Sequence, residues 1–326
     1  MDRKAVLEYL GSDWERTLAL IRSSLHSDIE LLNMTNESLL ERTGKQLRPM
    51  MALIMAKACG TGEVNMNTVR YAAASELLHN ATLLHDDVVD GSALRRGAPT
   101  VASILNSSAS VLIGDFWLVK AMEDILSSDS EDFSIVRLFS RTLSHLSEGE
   151  MLQLQKSSSG DTSEQDYFRI IYSKTASLFE AACVSAAKSV NASEEAVKAA
   201  GEYAVAVGLA FQIKDDLLDY SDANIGKPTG QDLLEQKITL PLLCALEHAD
   251  AAKQAEIRSL VCSAMDHHEN IPVILAFVEE HNGVVLAKER LLEYCGKAVE
   301  ALSVLPDSPA KSYLVDIADY IAERNI

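Results

Sequence analysis

The sequence carries two copies of an aspartate cluster with the spacing D-D-x-x-D, and each copy lies in a long apolar segment. The six residues are Asp86, Asp87 and Asp90 in LLHDDVVD, and Asp215, Asp216 and Asp219 in FQIKDDLLDY. Residues four apart share one face of a helix. Carboxylates on an apolar helical surface are costly unless they are paired or bind a metal. One such cluster could be a solvated helix face, but two copies indicate a metal site inside a helical protein.

The chemistry of these clusters favours Mg²⁺ as the metal and a diphosphate as its partner. Converging carboxylates repel each other, which invites a divalent cation. Mg²⁺ prefers oxygen ligands and is held through one or two carboxylates plus substrate phosphates. Arg95 and Arg96 follow the first cluster in GSALRRG, and guanidinium groups match phosphate oxygens. We therefore predict a metal–diphosphate site.

Further cations and polar residues could line this site, although each is ambiguous alone. Lys45 and Arg48 precede an apolar helix and could be ordinary surface cations. His79 lies two helical turns before Asp86, where a buried structural histidine is the alternative to a ligand. Lys227 lies in GKPTG, whose glycines would let the ammonium group reach a bound anion. The whole set is Lys45, Arg48, His79, Arg95, Arg96, Lys174, Thr175, Gln212, Lys227 and Lys237.

Helical periodicity dominates the chain, and segments that alternate with period two are nearly absent. The chain has 326 residues, 48% of them hydrophobic, which is enough for a large core. We predict one all-α domain over residues 1–326, a bundle of about ten or more helices around a central cavity that the two clusters face. The clusters are expected to end helices over residues 67–90 and 194–220. One helix is expected over residues 13–34, a loop over KSSSGDTSEQ, and a mobile loop over SDANIGKPTGQDLLEQKI.

Composition excludes several other classes of protein. The net charge of −19 argues against a nucleic-acid partner, because a phosphate backbone needs a basic face, and it disfavours adhesion to anionic lipids. The amino terminus lacks the pattern of a signal peptide, and the longest apolar run is too short for a transmembrane segment. The five cysteines show no C-x-x-C spacing, which fits reduced thiols. We therefore expect a cytoplasmic protein with no transmembrane segment.

Five segments, in order, resemble those of the trans-isoprenyl diphosphate synthases over essentially the whole chain. They are TGKQLRP, LLHDDVVDGSALRRG, YSKTASLFEA, FQIKDDLLDY and GKPTGQDLLEQKITLPLL. The closing LSVLPDSP is similar to the long-chain branch of the family, which supplies quinone side chains. The resemblance implies a helical bundle of the isoprenoid synthase type, usually a homodimer. It also implies an enzyme that condenses isopentenyl diphosphate with an allylic diphosphate to make a long-chain all-trans polyprenyl diphosphate.

The resemblance also assigns roles to individual residues. It implies up to three Mg²⁺ ions that bridge the aspartate clusters and the allylic diphosphate. The implied metal ligands are Asp86, Asp90 and Asp215, supported by Asp87, Asp216 and Asp219. The implied ligands of the allylic diphosphate are Arg95, Lys174, Lys227 and Lys237, with Thr175 and Gln212 near the developing cation. Isopentenyl diphosphate is expected at Lys45, Arg48, His79 and Arg96.

The sequence departs from the family pattern at three places. Thr43 precedes Gly44 where the family has paired glycines, and Gln46 stands where arginine is common. Gln236 stands where the later E-G-K pattern has glycine. The first two departures are expected to alter the affinity for isopentenyl diphosphate, and the third to stiffen the closing loop. None removes a charged residue that is assigned to chemistry.

Product length in this family depends on the residues four and five before the first aspartate, here Thr82 and Ala81. Both are small, so the growing chain is expected to pass between the helices. Met122 and Ile125 are predicted to form a deeper floor. Close packing between helices is the alternative role for Ala81.

Four other functions are alternatives to a long-chain synthase. The least specific, an acidic helical interaction protein, does not explain two D-D-x-x-D clusters in apolar helices. A short-chain synthase that makes farnesyl or geranylgeranyl diphosphate is the nearest alternative, and the small residues at 81 and 82 argue against it. A terpene cyclase would carry N-D-x-x-S-x-x-x-E in place of the second cluster. A non-catalytic subunit would lack aspartates or the first cationic loop, and this chain has both.

Overall fold

The computed structural model describes residues 2–60, 62–129, 132–220 and 230–323. These residues are almost wholly helical, which confirms the predicted all-α class. The helices of the first half are α1 Arg3–Leu10, α2 Ser12–Ser24, α3 Glu30–Leu40, α4 Leu47–Cys59, α5 Met66–Val89, α6 Val101–Ile104, α7 Ser107–Leu126 and α8 Phe133–Ser159. Those of the second half are α9 Glu164–Ile171, α10 Ser177–Ser189, α11 Glu194–Asp219, α12 Gln231–Leu234, α13 Leu240–Glu247, α14 Ala251–Cys262, α15 Asn270–Glu280, α16 Gly283–Ala301 and α17 Pro309–Glu323.

Three short elements complete the described structure. A π-helical turn, Tyr172–Ala176, joins α9 to α10, and a 3₁₀ turn, Leu302–Val304, follows α16. Strands β1 Leu94–Arg95 and β2 Ala98–Pro99 form an antiparallel hairpin in which Leu94 pairs with Pro99. The hairpin follows α5 directly, so it lies beside the first aspartate cluster in the sequence.

The chain divides into two compact units. The first comprises Met1–Ser140, Ala181–Gly201 and Val304–Leu314. The second comprises Arg141–Glu180, Glu202–Ser303 and Val315–Ile326. That the chain is a single domain stays a prediction, as does the prediction that the two aspartate clusters face each other.

Helix α5 is the central element of the first unit and packs on α2, α4 and α7. Asn65 caps its start, since the Asn65 side chain accepts a hydrogen bond of 2.9 Å from the Thr68 backbone N–H. Its contact with α7 is close because Gly114 has no side chain: a Cβ at Gly114 would lie 3.2 Å from the Ala81 carbonyl oxygen. This packing buries most of α5 and carries the first aspartate cluster at its last turn, as predicted.

The second unit contains the carboxyl-terminal part of α11, which ends with the second aspartate cluster, as predicted. Gly208 of α11 lies against the π-helical turn, where an added Cβ would come within 2.5 Å of the Ala176 Cα. Helix α13 is buried almost throughout and has Pro241 at its start, where a missing N–H costs nothing. Of the predicted site residues of this unit, Gln212 and the second aspartate cluster therefore lie on a well-packed helix.

The prediction of a single helix over residues 13–34 was wrong, because the chain breaks between Ser24 and Glu30. Side chains replace the helical hydrogen bonds there. Asn36 Nδ2 donates to the Leu25 carbonyl oxygen at 2.9 Å, and the Ser27 N–H donates to Asn33 Oδ1 at 2.9 Å. Asparagine and serine offer the backbone such local alternatives to a helix.

Two of the predicted loops contain helix. Helix α8 continues to Ser159, and α9 begins at Glu164 behind a capping box formed by Ser163 and Asp166. In the longer predicted loop, residues 221–229 lie outside the described residues, and residues 231–234 form α12. The loop that was predicted over KSSSGDTSEQ is thus limited to residues 160–163.

Candidate active site

The first aspartate cluster lies at the carboxyl-terminal end of α5. Asp86 is half-buried, Asp87 is 4% exposed and Asp90 is exposed, and the Asp90 N–H donates to the Asp86 carbonyl oxygen at 2.8 Å. The carboxyl end of a helix carries a partial negative charge, which favours a cation there. Asp87 turns inward and accepts a hydrogen bond of 2.6 Å from Arg95 Nε. The cluster therefore presents Asp86 and Asp90 outward on one turn, while Asp87 holds the following arginine.

The β-hairpin that follows α5 sets the direction of Arg96. Its two central residues, Arg96 and Gly97, have φ angles of 53° and 76°. Positive φ at both positions is the requirement of a type I′ hairpin turn. The guanidinium group of Arg96 reaches back to the loop before α4, where Nη1 donates to the Arg42 carbonyl oxygen at 3.2 Å. It lies over Gly44, since an added Cβ at Gly44 would be 2.5 Å from Arg96 Nη2.

His79, Arg48 and Arg96, which are expected at isopentenyl diphosphate, share one electrostatic environment. Burial first, and then the positive charges of Arg48, Arg96 and Arg95, hold the pKa of His79 well below its ordinary value. The imidazole is therefore neutral at pH 7 and can donate one hydrogen bond. Arg48 is 9% exposed on α4. Lys45, the fourth member, is an exposed residue of the loop that carries Gly44.

In the second cluster, Asp216 ends a chain of hydrogen bonds. Asp216 is 5% exposed, and it accepts from the Tyr167 hydroxyl at 2.6 Å and from Gln212 Nε2 at 2.9 Å. The Thr175 hydroxyl donates to Gln212 Oε1 at 2.8 Å. Burial raises the pKa of Asp216 to about 6, and the charge of Asp215 adds to this, whereas the Tyr167 and Gln212 donors and Lys237 oppose it. Two predicted residues, Thr175 and Gln212, are thereby fixed to the aspartate cluster.

Asp219 has a structural contact that the sequence did not reveal. Its Oδ1 accepts from the Gln231 N–H at 3.0 Å, and its Oδ2 accepts from the Asp232 N–H at 2.9 Å. Asp219 thus fastens the start of α12 to the end of α11. Asp215 is half-buried. In both clusters, therefore, the second aspartate is buried and hydrogen-bonded, and the first is the more accessible.

Lys174 and Thr175 lie in the π-helical turn, a distortion that is frequent at functional sites. Lys174 Nζ forms an ion pair of 2.6 Å with Glu150 Oε2 of α8. Helix α8 comes close to the π-helical turn at Gly149, because glycine has no side chain there. An added Cβ would lie 2.6 Å from the Ser173 Cβ. Glu150 was not predicted as a site residue, and its place in the sequence gives no signal beyond a helical position.

One cavity of about 140 Å³ in the second unit is lined by Lys174, Gln212, Asp216 and Lys237, among others. Lys237 forms an ion pair with Glu235. Lys227, the remaining cation expected at the allylic diphosphate, lies outside the described residues. Among the lining residues that sequence reasoning missed are Tyr167 and Asp232.

The acidic residues suit a divalent cation that a substrate helps to bind. Within the described residues, no three His, Cys, Asp or Glu side chains form a metal-binding group. Asp86 and Asp90 instead provide carboxylates one turn apart at the negative end of α5. Mg²⁺ is commonly held by one or two carboxylates and completed by substrate phosphates, so this oxygen-only donor set fits it.

The two residues expected to set product length differ in their environment. Ala81 is fully buried where α5 meets α7, which agrees with its alternative role in close packing. Thr82 is half-buried, and its hydroxyl donates to the His79 carbonyl oxygen at 2.8 Å. In α7, Ile125 is buried and Met122 is half-buried. The effect of these residues on product length stays a prediction.

Comparison with known proteins assigns the chain to a class of enzyme. The polyprenyl synthetase family model matches residues 29–278. Octaprenyl diphosphate synthase of Haemophilus influenzae is 38% identical over 316 residues, covering 96% of this chain and 94% of the relative. A decaprenyl diphosphate synthase structure from Rhodobacter capsulatus has a TM-score of 0.91 at 34% identity, covering 99% of each chain. A polyprenyl synthase from Caulobacter crescentus, complexed with calcium and isoprenyl diphosphate, has a TM-score of 0.88 at 32% identity, covering 100% of this chain and 98% of that one.

An all-α fold with two D-D-x-x-D clusters at helix ends defines a prenyltransferase of the isoprenoid synthase type. The chain belongs to the polyprenyl synthetase family. This confirms the family, the fold class and the enzyme class that the sequence predicts. No helix among the described residues has the length and apolar character needed to span a bilayer.

Proposed function

We propose that the protein is a Mg²⁺-dependent prenyltransferase that extends an allylic diphosphate with isopentenyl diphosphate to a long-chain all-trans polyprenyl diphosphate. The observation that carries the proposal is the near-full-length similarity to octaprenyl and decaprenyl diphosphate synthases, with both aspartate clusters complete. The calcium and isoprenyl diphosphate in the Caulobacter crescentus complex support a metal and a diphosphate in this fold.

The carboxylates of Asp86, Asp90 and Asp215 are the proposed metal ligands, with up to three Mg²⁺ ions. Bound Mg²⁺ would neutralise charge on the allylic diphosphate as it leaves. Asp87 positions Arg95 through its Nε, so the terminal guanidinium nitrogens are the part of Arg95 that can reach a phosphate. Lys174, Lys227 and Lys237 are the other proposed cations for this diphosphate.

The reaction needs no nucleophilic side chain. The carbon–oxygen bond to the leaving diphosphate breaks with its electron pair, and the resulting allylic cation is attacked by the double bond of isopentenyl diphosphate. Loss of a proton, which the departed diphosphate can accept, restores a double bond. The Thr175 hydroxyl and the Gln212 amide are fixed by their hydrogen bond, so their oxygens form a pre-oriented dipolar surface for the cation.

Isopentenyl diphosphate is proposed to bind Lys45, Arg48, His79 and Arg96 in the first unit. Arginine forks suit phosphate oxygens, and the neutral His79 can donate one hydrogen bond without adding charge. A homodimer and a cytoplasmic location are proposed from the family resemblance and the reduced cysteines.

Product analysis tests this function. The protein is incubated with Mg²⁺, farnesyl diphosphate and excess isopentenyl diphosphate, and the dephosphorylated products are sized by mass spectrometry. We expect a ladder that ends at about seven or more isoprene units and disappears with EDTA. A ladder that stops at four units would favour the alternative, a short-chain synthase. No product would favour a non-catalytic subunit.

A further inference from the structure

Gln236 has a backbone conformation that glutamine rarely adopts. Its φ angle is 58°, in the left-handed region that favours glycine. It follows the end of α12, where its N–H donates to the Leu233 carbonyl oxygen at 3.0 Å. The Lys237 N–H donates to the Asp232 carbonyl oxygen at 2.8 Å. These two bonds form a Schellman motif, whose left-handed position is usually glycine. A glutamine here costs backbone free energy, so the role of its side chain needs an explanation.

The side chain of Gln236 ties this turn to another helix. Its Nε2 donates a hydrogen bond to the Cys262 carbonyl oxygen, 26 positions further along the chain. Cys262 ends α14, and the last carbonyl groups of a helix have no partner within that helix. The bond therefore satisfies a carbonyl group at the end of α14 and also fixes the turn that follows α12.

The start of α12 is held by a second helix. The carboxylate of Asp219, at the end of α11, accepts from the Gln231 and Asp232 backbone N–H groups at 3.0 and 2.9 Å. Residues 230–237, the α12 segment, are thus fastened to α11 at one end and to α14 at the other. A segment with two anchors on different helices has fewer conformations than a segment that is held at one end.

Lys237 ends the α12 segment and is its link to the proposed chemistry. It lines the same cavity as Lys174 and Asp216, and it is one of the cations proposed for the allylic diphosphate. Its ion pair with Glu235 lies within the segment, so this partner moves with the segment. Gln236 is the neighbour of Lys237 in the chain. The bond from Gln236 to α14 therefore fixes the backbone from which the lysine side chain projects.

We propose that Gln236 is a positioning residue that holds the ammonium group of Lys237 ready for the allylic diphosphate without touching the substrate. This inference rests on the proposed function of the same cavity. Ordering a segment and a long lysine side chain on binding costs conformational entropy, and a backbone that is already anchored lowers this cost. The bond to Cys262 therefore supports the affinity for the allylic diphosphate and leaves the affinity for isopentenyl diphosphate unchanged.

Two substitutions separate the hydrogen bond from the backbone. Gln236→Gly removes the side chain and suits the left-handed φ, whereas Gln236→Met keeps an unbranched side chain of similar length and removes the donor. Both are expected to raise the KM for farnesyl diphosphate about threefold to fivefold, within the worth of one neutral hydrogen bond, with the KM for isopentenyl diphosphate unchanged. The Tm of Gln236→Gly is expected to change little, because relief of the backbone offsets the added freedom of the unfolded chain. A rise in Gln236→Gly alone, or in neither variant, would overturn the inference.

Direct binding separates this inference from the proposed function. Isothermal titration of farnesyl diphosphate, with Mg²⁺ and without isopentenyl diphosphate, measures affinity without turnover. Both variants are expected to bind about threefold to fivefold more weakly than the wild type. Equal affinities would overturn the positioning role even if the wild type makes polyprenyl products. A wild type that binds more tightly than both variants but makes no product would leave the positioning role standing and reject the synthase function.

The same titration in a Lys237→Met background gives a readout that a merely structural role would not move. The cation is absent there, so adding Gln236→Met is expected to weaken binding no further. An equal loss of affinity with and without Lys237 would overturn the inference. Gln254→Met is the matched control: Gln254 Nε2 donates to the Leu246 carbonyl oxygen at 2.9 Å, but Gln254 lines a different cavity. It is expected to bind farnesyl diphosphate as the wild type does, and a loss as large as that of Gln236→Met would also overturn the inference.

Discussion

The Tyr167 hydroxyl donates a 2.6 Å hydrogen bond to Asp216 Oδ2, although 49 positions separate the two residues in the chain. Both side chains are buried, and burial together with the charge of Asp216 raises the pKa of Tyr167 well above its ordinary value, so the phenol stays protonated. We expect Tyr167→Phe to lower kcat about tenfold, because Asp216 loses one of its donors and the second aspartate cluster loses its fixed geometry. Steady-state kinetics measure this. Tyr71→Phe is the control, since the buried Tyr71 hydroxyl has no hydrogen-bond partner among the described residues. Equal activity in the two variants would contradict the role given to Tyr167.

The contact between Tyr167 and Asp216 marks the limit of what the sequence could predict. The helices that carry the clusters were predicted within a residue or two, because long apolar segments fix them locally. The interruption of the predicted helix near Leu25 and the burial of the Asp216 side chain both depend on side-chain partners. Helical periodicity gives no information about such partners. Asp219 is a further case: its capping of α12 involves residues twelve and thirteen positions away.

The candidate site was predictable as a set of residue types rather than as a geometry. The resemblance named Lys174 and Arg95, but their partners Glu150 and Asp87 follow from packing. Glu150 is brought to Lys174 by the close approach at Gly149, which no local pattern encodes. The roles of the predicted residues in binding stay predictions that the following variants test.

Gly44→Ala is expected to weaken the binding of isopentenyl diphosphate. A Cβ at position 44 would lie 2.5 Å from Arg96 Nη2 and would push the guanidinium group away. We expect the KM for isopentenyl diphosphate to rise several-fold, with the KM for farnesyl diphosphate unchanged. Gly296→Ala is the control, because an added Cβ there meets no atom of the described part of the chain within 4 Å. A Gly44→Ala enzyme with an unchanged KM would show that Arg96 binds no substrate.

Asp124 should make stability depend on pH. Burial raises the pKa of Asp124 to about 6, and the Ser24 hydrogen bonds oppose this only in part. A folded-state pKa above the unfolded value of about 3.9 means that the folded protein binds the proton more tightly. The resulting stabilisation is complete below the unfolded pKa and is lost as pH rises to about 6. The Tm of the wild type minus the Tm of Asp124→Asn should therefore decrease as the pH rises from about 4 to about 6. A constant Tm difference across this range would contradict the assignment.

Asp86→Ala is expected to abolish turnover while leaving the helical fold intact. Asp86 is half-buried at the last turn of α5, so its loss creates no large cavity, but it removes one of the three proposed metal ligands. Product assays across a range of Mg²⁺ concentrations, with circular dichroism as the fold check, measure this. Asp115→Ala, which removes a largely exposed carboxylate of α7, should keep activity. Full activity in Asp86→Ala would rule out the proposed metal ligand.

Ala81→Tyr is expected to shorten the product, because a ring at this position would block the path of a growing chain along α5. The same ring must enter a fully buried contact with α7, where Gly114 leaves little space, so we expect a loss of about 1–3 kcal/mol in the free energy of unfolding. Ala81→Val is the matched variant: it adds volume to the same contact but does not reach as far. Mass spectrometry of the products and urea unfolding of both variants separate the two effects. Shorter products from Ala81→Tyr together with full-length products from Ala81→Val would place Ala81 at the wall of the chain path. Full-length products from both, with only stability reduced, would make it a packing residue and move the length control to a deeper position such as Ile125.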